Sequence, residues 1–197
     1  MFTKTQAEIM KVFVAKIDKR FSIKEIAELL KKPYPLVHRS IKDLLEKNYL
    51  IKDEKGFLSL NYKANHSELS YIESLRVQET LSKDKTLSLF IKDVKEKIEL
   101  DYFTLLIFGS YVEKSKPKDI DLLVILENEE KVEDIEKILN NMAENFTKTF
   151  HIQVISTKSA FEMLAKRDKI NILNETLDKH LLLFGAENYY RILQHAR

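Results

Sequence analysis

Two aspartates interrupt an apolar run in the middle of the chain, and they are the residues best suited to chemistry. The run IDLLVIL, residues 120–126, has the length and composition of a buried strand, and Asp119 and Asp121 stand at its beginning. Residues two apart on a strand project from the same face, so we expect the two carboxylates to lie side by side. Adjacent carboxylates repel each other unless a cation lies between them. Because oxygen ligands of this kind suit magnesium, the pair predicts a divalent-metal site.

A glycine–serine pair ends the apolar run that comes before the aspartates. The segment YFTLLIF, residues 102–108, also predicts a strand, and Gly109 and Ser110 follow it directly. The whole chain has 3 glycines, so one at the end of a strand indicates a turn where the backbone needs conformational freedom or approaches a ligand closely. Amide groups exposed at such a turn bind phosphate oxygens, and Ser110 adds a hydroxyl donor. These features predict a phosphate site beside the metal site.

The segment FGSYVEKSKPKDIDLLV, residues 108–124, combines all of these features. It resembles the signature of the polymerase-beta-type nucleotidyltransferase superfamily, in particular its archaeal-type minimal nucleotidyltransferases. The resemblance extends over residues 86–197 and implies a mixed sheet that holds a nucleoside triphosphate at its edge. It further implies that Gly109 and Ser110 contact the triphosphate and that Asp119 and Asp121 are catalytic Mg²⁺ ligands, with a two-metal site possible. The implied reaction transfers a nucleoside monophosphate to an acceptor hydroxyl and releases pyrophosphate.

The chain departs from that family at the position of a third carboxylate, which active members carry on a later strand. The candidate strand is TFHIQVIST, residues 149–157, which has His151 and Gln153 on one side. Gln153 stands where the acid is expected, with His151 as the other candidate for a third ligand. Glutamine is neutral and cannot act as a general base. Two alternatives therefore stay open: the protein turns the nucleotide over, or it binds the nucleotide without turnover.

The first third of the chain predicts a small helical module. In order, the pattern indicates helices over residues 5–16, 21–30 and 35–48 and a hairpin over residues 49–61. Ser22 and Glu25 have the spacing of a capping box at the start of the second helix. The apolar stripe of that helix is expected to be Ile26, Leu29 and Leu30. The order of elements resembles a winged helix-turn-helix domain.

The charge of the chain is divided unequally, which favours nucleic acid as a partner of this module. Residues 1–66 carry 14 Lys/Arg and 8 Asp/Glu, a net charge of +6. Residues 67–197 carry 19 Lys/Arg and 23 Asp/Glu, a net charge of −4. The winged-helix resemblance implies that the third helix enters the major groove of double-stranded DNA and that the hairpin contacts phosphates. Four basic residues are the candidate DNA contacts: Arg39, Lys42, Lys52 and Lys55. The alternatives are that these charges only solvate the outer faces of the module, or that the module binds protein.

The predicted fold class is α/β of the α+β type. Residues 1–64 form the winged helix-turn-helix domain, residues 65–85 a helical connector and residues 86–197 the nucleotidyltransferase-like domain. The chain has no cysteine, which excludes disulfides and thiolate zinc sites. No apolar run approaches the ~20 residues that a membrane helix needs, and the N-terminus lacks the apolar core of a signal peptide. We therefore expect a cytoplasmic protein with no membrane partner.

Three functions are consistent with these patterns. The first is a magnesium-dependent nucleotidyltransferase that a winged helix recruits to DNA or to a protein partner. The second is a DNA-binding transcriptional regulator whose transferase-like domain senses a nucleotide while being catalytically weak or inert. The third is an antitoxin-like enzyme that adenylylates a protein partner. All three depend on nucleotide binding beside Asp119 and Asp121.

Overall fold

The computed structural model describes residues 1–98, 102–113, 119–166 and 171–196. Within these ranges the chain is a mixed α/β protein, in agreement with the predicted class. The described helices are α1 (Lys4–Ala15), α2 (Ile23–Leu30), α3 (Tyr34–Glu46), α4 (His66–Leu81), α5 (Lys85–Lys97), α6 (Ser110–Glu113), α7 (Val132–Ala143), α8 (Thr157–Ala165), α9 (Ile172–Thr176) and α10 (Ala186–Ala196). The described strands are β1 (Leu50–Lys52), β2 (Leu58–Leu60), β3 (Phe103–Phe108), β4 (Asp119–Leu126), β5 (Thr149–Ser156) and β6 (His180–Phe184).

Helix α2 begins as the sequence predicts but buries a different stripe. The Ser22 hydroxyl accepts a hydrogen bond from the Glu25 amide, and the Glu25 carboxylate accepts one from the Ser22 amide, so the capping box is confirmed. The predicted stripe is wrong at Leu29, which is 59% exposed. Each helical residue advances by about 100°, so Ile26, Leu30 and Ala27 span one arc and Leu29 falls outside it. The arc faces α1 and α3, which is why the buried residues of α2 are Ile26 and Ala27.

A single residue outside the hairpin, Phe21, pairs with the hairpin of the N-terminal module. Strands β1 and β2 pair antiparallel, and Phe21 forms an isolated antiparallel bridge with Leu58. At the turn, Asp53 Oδ1 accepts hydrogen bonds from the Lys55 and Phe57 amides, at 3.0 and 2.8 Å. Gly56 has φ +88°, a left-handed conformation that glycine adopts readily. These contacts hold the turn that carries Lys55 and that follows Lys52 at the end of β1.

The other described strands form one sheet in the order β5-β4-β3-β6. Strand β3 pairs antiparallel with β4 and β6, whereas β4 and β5 are parallel, so the sheet is mixed. Side chains alternate between two faces. One face packs against apolar residues of α5 and α7. The other packs against apolar residues of α4, α8, α9 and α10.

The N-terminal helices share a core with the second face of the sheet. The apolar cluster on that face runs without a break from Ile9 in α1 to Leu106 and Leu123 in the sheet. The Ile17 amide also donates a hydrogen bond of 2.7 Å to the Leu177 carbonyl. Burial of apolar surface of this kind stabilises by about 25 cal/mol per Å². The N-terminal module is therefore packed onto the sheet and not held by the chain connection alone.

A buried charged network joins α4 to the sheet edge and to α10. Glu73 is 1% exposed, and its carboxylate accepts hydrogen bonds from Arg76 Nη1 at 2.6 Å and from the Tyr190 hydroxyl at 3.0 Å. Buried His180 places Nε2 3.3 Å from the same carboxylate, and its Nδ1–H donates to the Thr176 carbonyl. Burial alone would raise the pKa of Glu73, but Arg76, His180 and Tyr190 outweigh it and hold that pKa below its usual range.

No helix within the described residues is long and apolar enough to cross a membrane.

Candidate functional site

The two aspartates are the exceptions to burial on β4. Of the eight residues of this strand, Asp119 is exposed, Asp121 is half-buried and the other six are buried. Strand periodicity puts both aspartates on the face that also carries Leu123 and Ile125, at the end where the strand begins. The apolar residues that follow fix the strand within the core. The strand is an inner strand of the sheet, and it presents two carboxylates at its N-terminal end on a rigid element.

The structure brings Asp121 against the glycine–serine turn. Phe108 is the register partner of Asp121, and Gly109 follows it with φ +67°. A Cβ atom built on Gly109 would lie 2.6 Å from Asp121 Oδ2, closer than such atoms approach in folded proteins. Glycine therefore leaves room for the carboxylate in this position, whereas a Cβ atom would displace it, and its conformation is one that other residues rarely adopt. The half-buried Ser110 then opens the short helix α6.

The parallel register of β4 and β5 locates the two candidates for a third ligand. Asp121 pairs with His151, and Leu123 pairs with Gln153. His151 therefore lies directly beside the carboxylate, whereas Gln153 lies one pleat further into the sheet. Both side chains are exposed on the edge strand β5 and project to the aspartate face. Neither position supplies a third acid.

The donor set fits a divalent cation with two protein carboxylates. Within the described residues, no group of three or more His, Cys, Asp and Glu side chains is arranged to hold a metal ion. Asp119 and Asp121 offer hard oxygen ligands, and the missing side chain of Gly109 leaves the Asp121 carboxylate room beside the turn. Magnesium commonly keeps several waters and binds through one or two carboxylates plus substrate phosphates. The residues present suit that arrangement better than an all-protein cage.

A second polar cluster, centred on Asp84, flanks the turn and has no counterpart in the sequence predictions. The Tyr111 hydroxyl donates a hydrogen bond of 2.7 Å to Asp84 Oδ2, and the Lys148 ammonium donates to the same oxygen. Asp84 Oδ1 accepts from the Leu87 amide and caps α5. Burial would raise the pKa of Asp84, but these hydrogen bonds hold it below its usual range. Burial, together with Asp84, raises the pKa of the Tyr111 hydroxyl, which stays a hydrogen-bond donor.

Two clefts lie at opposite ends of the antiparallel strands. One, of about 300 Å³, is lined by Tyr111 and Val112 of α6 together with residues of α1, α4 and β6. The other, of about 390 Å³, lies near Phe103 and Ile125, at the far end of β3 and β4 from the aspartates. The first is lined by the two residues of α6 that follow the glycine–serine turn. The segment between α6 and β4, which has lysines at positions 114, 116 and 118, lies outside the described residues.

The four candidate DNA contacts are all exposed. Arg39 and Lys42 lie on the outer face of α3, where His38 is also exposed, and Val37 and Ile41 pack inward. Lys52 and Lys55 lie at the hairpin. The Nζ atom of Lys42 is 3.9 Å from Glu46, a surface pair that contributes little. The structure thus leaves these basic side chains accessible on one helix and one hairpin.

Comparison of the chain with known protein families, with curated protein sequences and with solved structures found no match in any of the three.

Replacing Gly109 tests the close approach of Asp121. We expect Gly109→Ala to destabilise the protein by about 1–3 kcal/mol, because the new Cβ meets Asp121 and the backbone is left-handed. Gly56→Ala is the matched control, since it has φ +88° but its Cβ would meet nothing closer than 3.7 Å. Urea denaturation measures both variants. An equal loss of stability in the two would show that Asp121 does not crowd Gly109.

Proposed function

We propose that this protein binds a nucleoside triphosphate with magnesium where β4 begins in the four-stranded sheet, and that it belongs to the nucleotidyltransferase type. The observation that carries the proposal is the close approach of the Asp121 carboxylate to the space that Gly109 leaves open. Asp119 supplies a second carboxylate from the same strand face. The sequence motif around these residues supports the same interpretation. The 300 Å³ cleft beside α6 offers room for the rest of the nucleotide.

The proposed roles follow from the chemistry of each group. Asp119 and Asp121 would hold the cation, and Gly109 and Ser110 would lie against the phosphates. Bound magnesium would neutralise the charge of the phosphates and of the leaving pyrophosphate. In transfer, the oxygen of an acceptor hydroxyl would bond to the α-phosphorus while the bond from the α-phosphorus to the bridging oxygen breaks. The electron pair of that bond would leave with pyrophosphate, and the proton of the hydroxyl would pass to water. The protein contributes position and electrostatics, which dominate catalysis of phosphoryl-type transfer.

A nucleotide sensor is the second candidate, and the register of β5 favours it. The position beside Asp121 is His151 and the next is Gln153, so neither neighbour offers the carboxylate that would activate an acceptor hydroxyl. Transfer of label from α-labelled triphosphates to protein, RNA and small-molecule acceptors separates the two candidates. We expect weak or absent transfer with generic acceptors, and robust labelling would contradict the sensor.

We propose double-stranded DNA as the partner of the N-terminal module. The net charge of +6 over residues 1–66 and the exposed basic residues of α3 and the hairpin support it. Binding of this kind weakens with salt because the neutralised phosphates release counterions. The protein would then couple a nucleotide site to a DNA-binding surface within one packed unit.

The double variant Arg39→Ala with Lys42→Ala tests this surface. We expect weaker DNA binding and a salt dependence whose logarithmic slope falls by about 0.9 for each phosphate that the variant no longer neutralises. Lys137→Ala with Lys158→Ala removes the same charge from exposed positions on α7 and α8. Fluorescence anisotropy at several salt concentrations compares the two pairs. Equal affinities in the two double variants would show that α3 is not the DNA-binding helix.

A further inference from the structure

Three polar side chains from separate elements converge beside the candidate phosphate turn. Asp84 caps α5, Tyr111 lies in the first turn of α6, and Lys148 immediately precedes β5. One oxygen, Asp84 Oδ2, accepts hydrogen bonds from both the Tyr111 hydroxyl and the Lys148 ammonium. The ammonium also lies 5.5 Å from the centroid of the Tyr111 ring. The cluster is partly buried, with side-chain exposures of 27% for Lys148 and 16% for Asp84.

Two members of this cluster, Tyr111 and Lys148, are close in sequence to residues of the candidate site or to their strand neighbours. Tyr111 follows Ser110 directly, so fixing its ring fixes the turn that begins at Gly109. Lys148 precedes Thr149, which is the register partner of Asp119. The cluster therefore ties the turn on one side of β4 to the strand on the other side.

Helix α6 needs such an anchor because it is short. It has four residues, and the Val112 amide donates a long hydrogen bond of 3.3 Å to the Gly109 carbonyl. Helices of this length have little stability of their own. Hydrogen bonds to an ionised carboxylate are stronger than neutral ones, so Asp84 is a suitable hub.

We propose that Asp84, Tyr111 and Lys148 form a positioning network that holds Ser110 and the glycine turn in place for the nucleotide phosphates. This inference rests on the proposed function, because it assigns the network to the same site. The three residues act through the turn and through β5, so they are positioning residues and not catalytic ones. Loss of one member would let the turn move and would weaken binding of the triphosphate.

Calorimetric titration of the full chain with ATP, GTP, CTP and UTP, each with excess Mg²⁺, tests the network. We expect Tyr111→Phe to weaken binding of the preferred triphosphate about tenfold, the effect of losing one hydrogen bond to a charged acceptor. Lys148→Met is expected to weaken it at least as much. Lys148→Arg keeps the charge and a donor, and should restore affinity to within about threefold of the parent.

Two matched controls separate positioning from general stability. Tyr102→Phe alters an exposed tyrosine at the other end of β3, and Lys137→Met alters an exposed lysine on α7. Both should bind the triphosphate as the parent does. Thermal unfolding without ligand shows whether each variant is folded at the titration temperature.

The outcomes distinguish this inference from the proposed function. A parent protein that binds none of the four triphosphates overturns the proposed function and the network with it. A parent that binds, together with Tyr111→Phe and Lys148→Met that bind equally well, overturns the network alone. Lower unfolding temperatures with unchanged affinity would assign the cluster to stability only. Failure of Lys148→Arg to restore affinity would also contradict the positioning role.

Discussion

The double substitution Asp119→Asn with Asp121→Asn is expected to abolish magnesium-dependent binding of nucleoside triphosphates. Replacing a residue that only orients a metal ligand lowers metal affinity about 10- to 100-fold, and replacing a direct ligand is expected to lower it further. Asparagine has nearly the shape of aspartate but no charge, so it cannot hold the cation as a carboxylate does. Isothermal titration with triphosphate and Mg²⁺ measures the change in affinity.

The same substitution should leave the fold intact. Asp119 is exposed and Asp121 half-buried, and removing two like charges from one strand face relieves repulsion. We therefore expect an unfolding temperature equal to or above that of the parent. Glu129→Gln with Glu130→Gln removes two exposed charges just beyond the other end of β4 and serves as the control. Unchanged binding in the aspartate variant would refute the metal site.

Glu73→Gln is expected to have the largest effect on stability. It removes the negative charge to which Arg76, His180 and Tyr190 are all hydrogen bonded in a buried environment. Breaking a buried ion pair by changing one partner costs about 3–5 kcal/mol, because the other charge is left without compensation. For a chain of this length, each kcal/mol lowers the unfolding temperature by about 2–4 °C. Thermal unfolding at neutral pH measures this change.

The pH dependence of the same variant identifies the cause. The pKa of Glu73 is lower in the folded protein than its ordinary value of 4.5, so its contribution is present above that pH and is lost as the pH falls further. The stability difference between parent and Glu73→Gln should therefore shrink on acidification below the ordinary pKa. A difference that does not change with pH would contradict the assignment.

Two further variants serve as a control and as a milder test of the same network. Glu68→Gln changes an exposed glutamate in the first turn of the same helix and is expected to lie within about 0.5 kcal/mol of the parent. Tyr190→Phe removes one hydrogen bond to the buried carboxylate and should cost about 1–3 kcal/mol, which keeps the network testable if Glu73→Gln does not fold. A Tyr190→Phe protein as stable as the parent would show that the hydroxyl adds nothing.

Local patterns in the sequence predict most of the elements that position the candidate site. The apolar runs before Gly109 and after Asp121 become adjacent antiparallel strands, since their length and composition suit a buried sheet. Ser22 and Glu25 mark the start of α2 because a capping box satisfies amides within four residues. The alternation of β5 correctly separates buried Phe150 from exposed His151. Each of these features is decided by neighbours in the chain.

Features that depend on distant parts of the chain could not be predicted in the same way. The register of β4 and β5, which puts His151 and not Gln153 beside Asp121, depends on packing of the whole sheet. Asp84 meets Lys148 across 64 residues, and Glu73 meets Tyr190 across 117. The sequence places Asp84 only within a helical connector over residues 65–85. Sequence periodicity does not indicate which distant polar residues will form hydrogen bonds to the same carboxylate.

Calorimetric titration of the unmodified protein with nucleoside triphosphates, once with magnesium and once with a chelator, tests the proposed site most directly. The Asp119 and Asp121 carboxylates lie beside the turn at Gly109, and they repel phosphates unless a cation offsets their negative charge. We expect binding of at least one triphosphate with magnesium and none with the chelator. Absence of binding under both conditions, or equal affinity without the metal, would contradict the magnesium–triphosphate site.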